Sequence, residues 1–65
     1  MSQMQDTLRA ADALVGAGGA HDWAAVVLLQ QFCGGLGQAI AHDLRRGRRG
    51  EASRAIAEAL EQVAA

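Results

Sequence analysis

The sequence predicts an all-α fold: a helical hairpin or a three-helix unit with a long central helix. Apolar side chains recur at intervals of three and four residues in three stretches, which is the period of an amphipathic helix. Glycine-rich segments at 16–20 and 47–50 separate these stretches, because glycine favours turns. No stretch has the alternating pattern of a strand. We therefore expect residues 1–65 to form a single small helical domain.

Size and composition favour association of this domain with itself or with another protein. The chain has 65 residues, and 15 of its hydrophobic residues are alanines, so the larger apolar side chains form a thin core. Domains this small bury only about 60% of the surface that their unfolded chains expose. Cys33 is the only cysteine, which excludes an internal disulfide. We expect an oligomer.

The first predicted helix runs from about residue 3 to residue 15. Ser2 and Gln5 fit a capping box, in which the two side chains satisfy free backbone donors at a helix start. One face carries the apolar residues and the other carries the polar ones. The apolar face comprises Met4, Leu8, Ala11, Leu14 and Val15.

The central helix is predicted over residues 22–46, with the Asp22 carboxylate as its N-cap, accepting from the amide of Ala24 or Ala25. Residues 23–41 contain no charged side chain. One seam has the three- and four-residue spacing of a coiled coil, and it comprises Val26, Leu29, Cys33, Leu36, Ile40 and Leu44. Further apolar residues lie outside the seam, namely Trp23, Val27, Leu28 and Phe32. A helix that is apolar on several sides must be covered on several sides.

Three glycines make the continuity of this helix an open question. Gly34, Gly35 and Gly37 each cost about 1 kcal/mol relative to alanine inside a helix. Either tertiary contacts hold the helix together, with the glycines admitting another backbone, or the helix breaks near Gly35 and the chain has four helices. We favour the continuous helix.

Gly47 and Gly50 mark a turn at 47–50 that is rich in arginine, and a last helix is expected over about 51–63. Its apolar face comprises Ala52, Ile56, Ala59, Leu60 and Val63.

The sequence shows no arrangement typical of an enzyme, a metal site or a cofactor site, and we expect none of the three. His21, Cys33 and His42 have a spacing that matches no zinc motif. A membrane span over residues 23–41 is disfavoured by three glutamines and three glycines, and the glutamines are Gln30, Gln31 and Gln38. A buried helix and a cytoplasmic protein are therefore expected.

A basic cluster offers a contact for nucleic acid or for an acidic partner. Guanidinium groups match the geometry of phosphates, and the cluster comprises Arg45, Arg46, Arg48, Arg49 and Arg54. Cations also stabilise the C-terminus of a helix without any ligand. The net charge of -1 gives no general attraction to nucleic acid.

Two segments carry a resemblance to a known protein family. The opening residues 1–12 (MSQMQDTLRAAD) and the later residues 43–47 (DLRRG) resemble the small co-chaperones of type III secretion needle subunits. The resemblance implies a helical hairpin that associates with a larger chaperone and keeps a polymerising subunit soluble.

A second resemblance concerns Leu8, which lies upstream of Gly18 and Gly19. This arrangement resembles the double-glycine leader of secreted peptide bacteriocins, and it implies a secreted, membrane-active peptide.

These observations favour a small non-enzymatic interaction module: an adaptor, inhibitor or co-chaperone that self-associates or docks on a protein partner. The alternatives are a dimeric nucleic-acid-binding regulator and the secreted peptide. Trp23 and Phe32 would anchor the contact, because interfaces concentrate binding energy in buried aromatic residues. The expected interface comprises Trp23, Val26, Leu29, Phe32, Cys33, Leu36, Ile40 and Leu44.

Overall fold

The computed structural model describes residues 3–64, with side chains up to residue 63, and this part of the chain is all-helical. Four α-helices follow one another, with a short 3-10 turn at Gly19–His21 between the first two. They are α1 (Gln3–Gly16), α2 (Asp22–Phe32), α3 (Gly34–Arg45) and α4 (Arg49–Ala64). The predicted all-α class is confirmed.

The expectation of a continuous central helix is wrong, and the chain takes the alternative with four helices. The Cys33 amide still donates to the Leu29 carbonyl, as the last residue of a helix would. Gly34 then adopts a positive φ of 57°, a left-handed conformation that costs other residues about 1–2 kcal/mol. The chain changes direction there, and α3 begins at once.

The helix starts also differ from their predicted positions. The residue that precedes α2 is His21, and no side chain caps this start. Asp22 is instead the first helical residue, and its carboxylate binds Arg49 rather than the amides of its own helix. Helix α4 begins two residues before the expected position, because the Arg48 carbonyl accepts from the Ala52 amide. The predicted capping serine, Ser2, lies outside the described residues.

The four helices form a ring in which each helix packs against its neighbours in the order α1, α2, α3, α4 and back to α1. At one end of the bundle, Arg49 of α4 bonds to Val15 of α1 and Asp22 of α2. At the other end, a groove is lined by Met4 of α1, Leu36 of α3 and Val63 of α4. The start of α1, the start of α3 and the end of α4 therefore lie at one end of the molecule, and the end of α1 and the starts of α2 and α4 lie at the other.

The core lies inside this ring and draws on all four helices. Leu8, Leu29, Ile40 and Ile56 are its largest fully buried side chains. The predicted apolar faces of α1 and α4 point into it, with Met4, Leu14, Leu60 and Val63 at its margin. The chain exposes 3945 Å², close to the roughly 4,000 Å² expected of a folded monomer of this mass. The core is thus closed by the chain itself.

Candidate protein-interaction surface

The eight residues of the expected interface separate into two groups. Three of them are exposed: Trp23 at 71%, Phe32 at 45% and Leu36 at 37%. The other five form part of the closed core, namely Val26, Leu29, Cys33, Ile40 and Leu44. On the folded chain, the exposed three are the ones that a partner can reach.

Helix α2 carries two of the three large hydrophobic residues that are exposed among the described residues. Its buried side is formed by Ala25, Val26 and Leu29. The outer half of the helix carries two rows of i, i+4 neighbours, and Trp23 and Phe32, which are nine residues apart, lie at its two edges. We call this side the α2 surface, and it comprises Trp23, Ala24, Val27, Leu28 and Phe32.

The α2 surface is apolar and uncharged. No residue of α2 after Asp22 is charged, and Gln31 is the polar residue that interrupts its outer side. Single exposed hydrophobic residues are ordinary, but contiguous apolar patches mark sites of interaction. Trp23 and Phe32 belong to the aromatic type that is enriched at interfaces.

A second apolar feature lies at the end of the bundle where α1 and α3 begin. It is an open groove of about 170 Å³, with an apolar floor and a polar rim. Sequence reasoning did not identify this groove, because its walls come from three helices whose order around the ring is not visible in the sequence. Its lining comprises Met4, Leu36, Ala55, Glu58, Ala59, Gln62 and Val63.

Arg49 of the predicted basic cluster is a structural residue. Its Nε donates to Oδ2 of Asp22 at 3.0 Å, and its Nη2 donates to the carbonyl oxygen of Val15. That carbonyl lies in the last turn of α1 and also accepts from the Gly18 amide at 3.3 Å. Arg49 therefore joins three helices at one end of the bundle.

The other arginines of the cluster are exposed. Arg48 lies 3.8 Å from Asp43 and 3.9 Å from Glu51, which are loose ion pairs. Within the part of the chain that the structure describes, Arg45, Arg46 and Arg54 form no ion pair. These three are the cations available to a ligand.

Cys33 packs in the core beside the break between α2 and α3. Burial raises the pKa of its thiol, and a buried thiol of this kind is unreactive. Among residues 3–64, no three histidine, cysteine or acidic side chains come together as a metal site. No helix in that range combines the length and the apolar character needed to cross a membrane.

No known protein family, curated protein or solved structure matches this chain. The assignment of a function therefore rests on the surfaces described above.

Proposed function

We propose that this chain is a small non-enzymatic interaction module that docks its α2 surface on a protein, either another copy of itself or a different chain. The observation that carries the proposal is the 71% exposure of Trp23 on an uncharged helix face. Exposure of an indole to water is unfavourable, and burial of an aromatic side chain removes about 150–250 Å² from solvent. A partner that covers Trp23 would recover this free energy.

The closed core supports the same proposal. Since Val26 and Leu29 are already packed inside the chain, Trp23 and Phe32 are not needed for the closure of the core. Leu8 of α1 is fully buried as well, so α1 contributes to the same core. Adaptor, inhibitor and co-chaperone are the forms of this function that we propose, in the cytoplasm.

A photo-crosslinking amino acid at position 23 tests the proposal in the cell that makes the protein. We expect it to form a discrete adduct with a protein, which mass spectrometry of the adduct identifies. The same amino acid at position 57 is the matched control, because Ala57 is exposed on α4 and belongs neither to the groove nor to the basic cluster. Equal labelling at both positions, or none at position 23, would refute the docking role of the α2 surface.

A small nucleic-acid-binding regulator is the second proposed function, because Arg45 and Arg46 are exposed and free of ion pairs among the described residues. Binding to DNA or RNA is expected to fall steeply with salt, since phosphate contacts release counterions. The informative variant is Arg45→Ala with Arg46→Ala, which should abolish binding and leave the fold intact. Arg49 is unsuitable for this test, because it joins three helices. Binding that persists in the double variant, or shows no salt dependence, would exclude this function.

A further inference from the structure

The free charges of the described residues are distributed unevenly between the two ends, although Asp12 lies on the half of α1 nearest the basic end and Arg9 lies midway along that helix. Arg45 and Arg46 lie at the end where α1 and α3 finish, and neither forms an ion pair with a described residue. Exposed carboxylates lie toward the other end, where α1 begins and α4 finishes. Within residues 3–64 these carboxylates also form no ion pair, and they are Asp6, Glu58 and Glu61.

The charge of Glu61 does not serve the stability of α4. Acidic residues stabilise the N-terminus of a helix and basic residues its C-terminus, by about 0.3–1 kcal/mol each. Helix α4 follows this rule in its first turn, which contains Glu51, but its last turn contains Glu61 and no basic residue. An acidic residue at the C-terminus of a helix opposes the helix dipole, and such a departure from local preference is typical of a residue that serves a contact outside its own helix.

The same two ends also carry complementary shapes. Trp23 follows Asp22, whose carboxylate binds Arg49, so this exposed indole lies at the basic end. The groove lies at the acidic end, and Glu58 is part of its rim. An apolar cavity of about 150 Å³ accepts a benzene ring, so a groove of about 170 Å³ can hold much of one indole.

We propose that the partner of the α2 surface is a second copy of this chain, docked head to tail, with Trp23 of one copy in the groove of the next. Arg45 and Arg46 of the first copy then face Glu58 and the neighbouring carboxylates of the second. This proposal rests on the docking role of the α2 surface proposed above. It adds that the groove of one copy receives Trp23 of another.

Head-to-tail contact has a consequence that symmetric pairing lacks. Each copy offers one indole and one groove to two different neighbours, so the contact is heterologous and continues into rings or open chains. A symmetric dimer would use the same patch on both copies. The two arrangements therefore respond differently to variants that remove one half of the contact.

The first measurement follows the purified protein as its concentration increases, by light scattering and by tryptophan fluorescence. Trp23 is the only tryptophan, so its emission should move to shorter wavelength as the groove excludes water from the indole. Salt should weaken the association, because the free charges that face each other are exposed. Trp23→Ala should weaken it at least tenfold, as expected when an aromatic anchor is removed.

The decisive measurement mixes two variants. Trp23→Ala lacks the indole but keeps the groove, whereas Leu36→Gln with Glu58→Arg keeps the indole and spoils the groove. Each should remain a monomer alone, and an equimolar mixture should form a 1:1 heterodimer that grows no further. Thermal melting checks that both variants fold, and Glu58→Arg with Gln62→Arg, which changes two exposed residues of the groove, is the substitute if Leu36→Gln is unstable.

Two outcomes would overturn the head-to-tail contact. One is a wild-type chain that stays monomeric with a constant emission wavelength; the crosslinking test at position 23 then shows separately whether the α2 surface binds a different protein. The other is a wild-type dimer for which the two variants do not complement each other, which would indicate a symmetric contact between two α2 surfaces.

Discussion

Gly37→Ala is expected to destabilise the fold by about 3 kcal/mol, the upper part of the usual range for overpacking a core. A Cβ atom at this position would lie 1.8 Å from the Leu29 carbonyl oxygen and 2.6 Å from its carbon. Both atoms belong to the backbone of α2, so no side-chain rotation can relieve the overlap. Helices α2 and α3 would have to separate, which would open the core around Leu29 and Ile40.

Gly35→Ala is the matched control, because it adds the same methyl group two positions earlier in α3. No atom lies within 4 Å of that Cβ, and Gly35 does not have a positive φ. Alanine should therefore stabilise the helix there, by up to about 1 kcal/mol. Thermal melting should show a loss of about 12–24 °C for Gly37→Ala and a small gain for Gly35→Ala. Equal melting temperatures would contradict the close contact of α2 with α3.

The sequence predicts the outer elements of this fold well, because their pattern is local. In α1, Leu8, Ala11 and Val15 recur at helical spacing, and all three are buried. In α4, Ala52, Ile56 and Ala59 do the same. Each of these helices has one apolar side, so the period alone indicates which residues face the core.

Periodicity does not predict the break between α2 and α3, because the glycines of this segment serve two different purposes. Gly34 is needed for its positive φ, whereas Gly37 is needed because α2 approaches it closely. Both reasons are tertiary, and the sequence shows the same residue type in both cases. The three- and four-residue spacing continues across the break, so the seam looked like one helix although its two halves belong to α2 and α3.

The sequence predicts that α2 has apolar residues on several sides, but it does not predict which side stays exposed. Because α2 is apolar on several sides, the sequence indicates that several sides must be covered. Which side the chain itself covers depends on the order of the four helices around the ring. That order places Val26 and Leu29 inside and leaves Trp23 exposed. The docking role of Trp23 stays a prediction that the crosslinking experiment tests.

The link between Arg49 and Asp22 spans 27 residues, and no local rule indicates it. Asp22 has the residue type and position of an N-cap, and Arg49 has those of a solvated turn. Their pairing follows from the ring, in which the described residues of α2 and α4 both pack against α1 and not against each other, so the long Arg49 side chain reaches from α4 to Asp22.

Arg49→Ala is accordingly expected to destabilise the fold by about 2 kcal/mol, within the range for hydrogen bonds to charged groups. The substitution removes the donors to Asp22 and Val15. It also leaves the Asp22 carboxylate, whose side chain is only 22% exposed, without a cation, and its Oδ1 already lacks a hydrogen-bond partner among the described residues. The Arg49 side chain is 41% exposed, which keeps the effect below that of a fully buried ion pair.

Two further variants separate the ion pair from a general effect of losing an arginine. Arg48→Ala removes a neighbouring guanidinium whose carboxylate partners lie 3.8 Å and 3.9 Å away, so it should cost no more than about 0.5 kcal/mol. Arg49→Ala leaves the Asp22 carboxylate without a cation, and Asp22→Asn removes that negative charge. Asp22→Asn should therefore lower the free energy of unfolding less in the Arg49→Ala background than in the wild-type chain. Urea unfolding of the four chains gives this coupling directly. If the losses of unfolding free energy for Asp22→Asn and Arg49→Ala are additive, Arg49 acts mainly through the Val15 carbonyl. Equal losses for Arg48→Ala and Arg49→Ala would contradict the role of Arg49 in joining the three helices.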